Sequence, residues 1–142
     1  MSNKYSYGST SEKRKSTCDP RLRLILDVAL SMGLVDISII EGERSMLDQN
    51  RSFDEGKSKV QWPNSKHNVV RPNMQSLAFD AGPYINGKIS YDHKHCCFLA
   101  GILIAVGKTF GIKIRWGGCW SGNPEDIGNQ RFEDLLHYEI VD

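Results

Sequence analysis

The chain has no apolar run long enough to cross a membrane. Its longest, Cys96 to Val106, falls well short of the ~20 residues that a helical span needs and reads instead as a buried helix. No sign of charge is in excess. Eighteen basic and 17 acidic side chains leave a net charge of +1, so no broad field marks a nucleic-acid binder. The segment from Met1 to Thr17 lacks the apolar centre of a secretory signal. It is rich in Ser, Lys, Gly and Thr and reads as a flexible polar tail. Cysteine is scarce: Cys18, Cys96, Cys97 and Cys119. Without a secretory signal, free thiols made in a reducing cytoplasm are expected over disulfides, and the adjacent Cys96 and Cys97 are poorly placed to pair with each other. No internal repeat and no second domain are visible in the 142 residues, which suffice for one domain with a real core.

Local patterns then alternate between helix and strand. Asp19-Pro20 is a helix start, with Asp as N-cap and Pro at the first helical position. Leu22, Ile25, Leu26 and Ala29 follow at helical spacing, and Gly33 stops the run. Residues 36–41 (DISIIE) are β-branched and strand-like, and a second helix is expected over about 46–56. Residues 57–76, with Pro63 and Pro72, have the composition of a loop. Leu77 to Ala81 reads as a short strand closed by Gly82-Pro83, and Asn86-Gly87 as the tip of a hairpin. A long buried helix is expected over 92–110, a strand over 112–116, a Gly/Asn/Pro-rich loop over 117–131 and a last strand over 136–141.

Chemistry concentrates in three places: Ser65-Lys66-His67, Leu77-Ala78-Phe79-Asp80 and Asp134-Leu135-Leu136-His137. His67, Asp80 and His137 offer two imidazoles and one carboxylate, a zinc-type set that leaves room for water. Asp134, three residues before His137, is placed to move that water's protons. A carboxylate in an apolar strand is costly unless paired or metal-bound, though Asp80 alone would as readily cap a turn or meet an arginine. Glu139 shares a strand face with His137 and can orient it as an outer acceptor. Arg44 can grip a substrate carboxylate or form an ion pair with Glu41 or Glu43. Ser65 can donate to a substrate or only shape its turn. Trp116 and Trp120, beside Gly117 and Gly118, can flank a groove, or one of them can be core.

Taken together, Gly42-Glu43-Arg44-Ser45, Gly56-Lys57-Ser58, Trp62 to His67, Ser76 to Tyr84, Arg115 to Gly118 and Asp134 to Glu139 resemble the phage endolysin branch of the D-alanyl-D-alanine carboxypeptidase / VanY-like zinc peptidases, and within it the L-alanyl-D-glutamate endopeptidases. The resemblance runs from about residue 20 to the C-terminus and keeps the motif order. It implies an α+β fold of the Hedgehog/DD-peptidase type, a small antiparallel sheet flanked by helices, with 18–142 as the catalytic domain. It implies Zn2+ on His67, Asp80 and His137, Asp134 as general base and acid, and Arg44, Ser65 and Trp116 toward the substrate. The partner it implies is the peptidoglycan stem peptide, with no nucleic acid and no membrane insertion. A monomer is expected, held in the host bacterial cytoplasm and reaching the wall after release.

Two departures carry weight. The spacing of His67 and Asp80 is longer than is usual in that family, so residues near Val70 to Gln75 are expected to loop out without moving either ligand. Cys119 stands where the family's Trp-Gly-Gly-Asp-Trp has Asp. A thiolate there could close the fourth zinc position and leave a non-catalytic wall-binding protein, or act as a nucleophile with His137. His93, Cys96 and Cys97 could put ligands on one helical face, but His93 and His95 read better as surface residues and the two cysteines as small core hydrophobes. D-alanyl-D-alanine carboxypeptidase activity is the alternative enzymatic reading.

Overall fold

The N-terminal segment is part of the fold. The computed structural model describes residues 4–71 and 74–142, so residues 1–3 of the expected tail and 72–73 of the expected loop lie outside it. Ser9–Lys15 forms helix α1, packed on the first strand, with Tyr5 and Tyr7 against the core. The expected tail is therefore corrected. Polar composition misled because several of the polar groups have partners elsewhere in the fold. The Tyr7 hydroxyl donates to the Leu26 carbonyl at 2.7 Å, Ser11 Oγ accepts from Ile39 N–H at 3.0 Å, and buried Lys15 meets Asp27 at 2.6 Å.

Helix α2 (Pro20–Ser31) begins as its sequence requires. The Asp19 carboxylate accepts from Arg21 N–H, and Leu22, Ile25, Leu26 and Ala29 are fully buried along one stripe. Gly33, at φ +68°, lets the chain turn into β1 (Asp36–Glu41). Helix α3 (Met46–Asp54) is capped by Ser45, whose Oγ accepts from Asp48 N–H. Strand β2 (Ala78–Ile85) runs on through Gly82-Pro83, beyond the stop expected there. Past Ala81 the edge that the last strand leaves is taken up by the hairpin, where the Pro83 carbonyl accepts from Ser90 N–H at 2.9 Å. Asn86 and Gly87, both at positive φ, turn β2 into β3 (Lys88–Ile89). Asp92 caps helix α4 (His93–Thr109), and β4 (Ile114–Trp116) and β5 (His137–Ile140) complete the elements.

The sheet has the order β1-β2-β5-β4, antiparallel throughout, with β3 paired to β2. The expected α+β architecture is the one observed. One face, carrying Phe79, Tyr138, Ile114 and Ile140, packs with α2 and α4 into a single core. The opposite face carries Asp80, His137, Glu139 and Arg115 by strict alternation. All four cysteines are free thiols, and burial pushes Cys18 and Cys96 up to about 11, which makes them inert core residues. No described helix is long and apolar enough to cross a membrane.

Within the core the Tyr138 ring stacks on Phe79 at 5.1 Å, yet its hydroxyl is buried without a hydrogen-bond partner among the described residues. Such a group costs desolvation energy that nothing returns. Tyr138→Phe should raise stability by about 1 kcal/mol. Urea denaturation would show a higher midpoint at unchanged slope; a lower midpoint would mean the hydroxyl has a partner after all.

Candidate metal centre

The pairing of β2 with β5 sets Asp80 directly across from His137 and Ala78 across from Glu139. His67 arrives from the loop that precedes β2. Its turn is built by Ser65, whose Oγ accepts from His67 N–H at 3.2 Å and whose N–H donates to Asn68 Oδ1 at 3.0 Å. The long excursion between the two ligands then closes on itself, because Leu77 N–H donates to the Lys66 carbonyl at 3.0 Å. Val70 and Met74 lie exposed on that excursion, so its extra length goes to the surface, as expected, and both ligands stay anchored.

His67 Nδ1 donates to the Gly42 carbonyl at 2.7 Å, which leaves Nε2 with its lone pair facing inward. From there His67 Nε2 lies 3.1 Å from Asp80 Oδ1 and 3.2 Å from His137 Nδ1, and His137 Nδ1 lies 3.3 Å from Asp80 Oδ1. Tetrahedral zinc with bonds of about 2.0–2.1 Å puts its donors roughly 3.3–3.4 Å apart. The three donors are thus spaced as three corners of such a site, and the donor chemistry fits a divalent ion. His137 Nε2 is held by Glu139 Oε1 at 2.8 Å, and Lys66 and Arg115 flank the far oxygen of Glu139 at 3.8 and 3.7 Å.

The electrostatics follow from this packing. Burial opposes ionisation of Asp80, but His67 and His137 outweigh it and hold its carboxyl well below the ordinary range. Burial likewise opposes charge on His137, while Asp80 and Glu139 push it up to about 9. A bound ion has to replace that proton, so ion affinity falls as pH falls. Burial and the neighbouring Asp80 charge raise Asp134 above its ordinary value, against the pull of His137 and His67.

Asp134 sits half-buried in a cleft of about 510 Å³ that His67, His137, Arg44 and Ser65 also line. Its backbone is fixed to Gly117, with Asp134 N–H donating to the Gly117 carbonyl at 3.0 Å. A Cβ on Gly117 would stand 2.2 Å from the Asp134 carbonyl oxygen, so only glycine permits that approach. Arg44 pairs with Glu41, not Glu43. It also donates to Gln49 Oε1 at 3.0 Å and lies 3.5 Å from Asp80 Oδ2.

One expectation is corrected, and two alternatives fall away. Trp116 does not line the cleft: it is 2 % exposed, and its Nε1–H donates to the Leu135 carbonyl at 2.8 Å. Alternation along β4 sends it into the core. Trp120, beyond the Gly117-Gly118 turn, takes the place at the cleft wall, stacked on Phe132 at 6.2 Å and 5.5 Å from the His137 ring. Cys119 joins neither the donor group nor the cleft. Its thiol donates to the Asn123 carbonyl at 3.0 Å and packs with the core, so it is neither a fourth ligand nor a nucleophile for His137. His93 pairs with Glu133 at 3.2 Å, and the only potential metal-binding group among the described residues is His67, Asp80 and His137. Missed from the sequence were Gln49, which is fully buried beside Arg44, and the Lys59 amine over the Phe132 ring at 5.0 Å.

A donor triangle at the floor of an open cleft, with a half-buried acid in the same cleft, is the arrangement of a hydrolase whose site could hold a metal ion. The family model of phage L-alanyl-D-glutamate peptidases matches residues 1–141. The L-alanyl-D-glutamate peptidase of Escherichia phage T5 is 30% identical over 141 residues, covering 96% of this chain and 98% of that protein. The crystal structure of the Serratia marcescens L-Ala D-Glu endopeptidase ChiX shares the fold, with a TM-score of 0.75, 23% identity and coverage of 97% of this chain and 92% of that one. This chain belongs to the phage L-alanyl-D-glutamate peptidase family.

The orientation of His67 depends on the Gly42 carbonyl, and the C-terminal end of α1 presses on that glycine. A Cβ there would lie 2.2 Å from Thr17 Oγ1 and 2.6 Å from the Arg14 carbonyl oxygen. Gly42→Ala should therefore move the acceptor of His67 and lower affinity for a divalent ion by about 10- to 100-fold, the usual effect of losing an outer partner. Competition against a chromogenic chelator measures this; unchanged affinity would show that the carbonyl does not set the ring.

Proposed function

We propose that this protein is a zinc-dependent peptidoglycan hydrolase, an endolysin that cuts the bond between L-alanine and D-glutamate in the murein stem. The observation that carries the metal half of this reading is the His67–Asp80–His137 triangle, with edges of 3.1, 3.2 and 3.3 Å. The family membership, with a relative of the same length named for that bond, supports the substrate half.

His67, Asp80 and His137 would hold the ion. When bound, zinc supplies a Lewis acid and lowers the pKa of water. Asp134 takes the proton of the attacking water on its carboxylate and passes it to the departing amine of D-glutamate. Its half-buried position beside Asp80 suits a group that must both accept and return a proton, since both raise it above an ordinary carboxyl. Glu139 keeps the His137 ring in one orientation through Nε2. Arg44, on the cleft wall next to Asp80, holds a carboxylate of the stem, and Ser65 stands at the same wall. The stacked Trp120 and Phe132 give the opposite wall a flat apolar surface against which the peptide lies. In this reading the enzyme is a monomer, is made in the host bacterial cytoplasm and reaches the wall only after release. No observation favours removal of a terminal D-alanine over cleavage within the stem.

Asp134→Asn should retain one zinc per chain and an unchanged melting temperature while losing at least roughly 100-fold of the lytic rate on purified sacculi. A chelator should abolish wild-type lysis and added zinc should restore it. Mass spectrometry of the digest should show stems beginning at D-glutamate. Release of single alanines would redirect the reading to a carboxypeptidase, and full activity of the Asn variant would remove Asp134 from the mechanism.

A further inference from the structure

Helix α3 is buried the wrong way round for an amphipathic helix. Leu47 is 74 % exposed and Met46 53 %, whereas Gln49 is the only buried residue of the helix and is fully inaccessible. A leucine or methionine at 49 would gain from that position and the amide does not, so the amide is retained for its hydrogen bonds. All four of them are made. Oε1 accepts from Arg44 Nη1 at 3.0 Å and from Asn68 Nδ2 at 3.2 Å; Nε2 donates to Ser58 Oγ at 2.9 Å and to the Val60 carbonyl at 2.7 Å. Asn68 in turn caps the turn that carries His67.

The Arg44 guanidinium lies between two acids. Its Nε meets Glu41 and its Nη2 faces Asp80, and Gln49 holds the remaining Nη1. Take Gln49 away and the guanidinium loses one of the two contacts, with Glu41 the other, that keep it from a full, two-toothed pairing with Asp80, the pairing that a guanidinium and a carboxylate prefer. Arg44 would then be spent on a metal ligand instead of facing the cleft.

We infer that Gln49 is a positioning residue for substrate binding: it keeps Arg44, already 3.5 Å from Asp80 through Nη2, out of a full two-toothed pairing with that ligand and aimed at the carboxylate of the stem peptide. This rests on the reading of Arg44 as a substrate contact. Its mark is an effect that appears in KM, leaves the metal in place and vanishes when Arg44 is absent.

The test is a double-mutant cycle on a soluble muropeptide containing the L-alanyl-D-glutamate bond. Gln49→Met removes all four hydrogen bonds at similar volume, and Arg44→Ala removes the group it acts on. Gln49→Met should raise KM about tenfold with kcat within about threefold, keep one zinc per chain, and add less than about twofold on the Arg44→Ala background. Gln49→Glu, which still accepts from Arg44, should keep KM within about threefold of wild type and serves also if the Met variant does not fold. Equal losses from Gln49→Met on both backgrounds, or a Glu variant as impaired as the Met variant, would overturn the assignment. Failure of the wild-type enzyme to cut this substrate would instead overturn the proposed function, so the two failures are distinct.

Discussion

The antiparallel register between β2 and β5 is the constraint on which the site depends. Asp80 faces His137 across the ladder, and Phe79 faces Tyr138 on the other side of the sheet. Side chains alternate along a strand, so a slip of β5 by one residue would send His137 into the core and Tyr138 into the cleft, away from Asp80 and Phe79. The hydrophobic face therefore enforces the metal face. The stacked Phe79 and Tyr138 rings make the slip costly, and an apolar run broken by a single aspartate acquires a reason: Asp80 is the one polar position of that stretch that points away from α2 and α4. The third donor adds a second constraint, because His67 comes from a loop. Its ring is fixed by one carbonyl, that of Gly42, and its backbone by another contact of the same kind, Arg44 N–H to the His67 carbonyl at 2.8 Å.

This division explains what could be read from the sequence. Signals that act within a few residues were legible. Asp19-Pro20 opens a helix, Asn86-Gly87 turns a hairpin, and DISIIE is a strand with the bounds expected of it. The donor set was legible too, since few side chains can bind such an ion. What failed depended on partners distant in sequence. The polar segment before Thr17 read as a tail because Tyr7 and Ser11 find their acceptor and donor in Leu26 and Ile39. Trp116 and Trp120 have the same glycine neighbours, and only the face of β4 on which Trp116 falls separates core from cleft. Gln49 gave no local sign, for an amide on a short polar helix is ordinary until its surroundings are known.

Charge in the cleft is arranged in opposed pairs. Glu139 stands between His137 on one side and Lys66 and Arg115 on the other, and Asp80 between two imidazoles and Arg44. Burial works against each of these charges, and each is offset by a neighbour of opposite sign. Asp134 differs in that the pull of His137 and His67 does not prevail. Burial and a like-charged neighbour both act to keep its proton on, and no lysine or arginine side chain pairs with it among the described residues. Ligands need settled charges, whereas an acid–base group needs a proton that is easily exchanged, and the two requirements are met in one cleft by which neighbours each carboxylate was given.

Glycine does for the backbone what register does for the side chains. Gly42 and Gly117 are distant in sequence, but each lies where another segment comes too close for a Cβ: the Arg14 carbonyl and the Thr17 hydroxyl against one, the Asp134 carbonyl against the other. At the first, the contact fixes the carbonyl that orients His67; at the second, it fixes the turn that presents Asp134 ahead of His137. The loops that carry these groups are the least regular parts of the fold, and side-chain packing alone would leave them room to shift. Close backbone contact removes that freedom without adding a side chain to the cleft. The same economy accounts for the long segment between His67 and Asp80. With the Lys66 carbonyl bonded to Leu77 N–H, whatever lies between them can lengthen at the surface while the donor triangle keeps its edges.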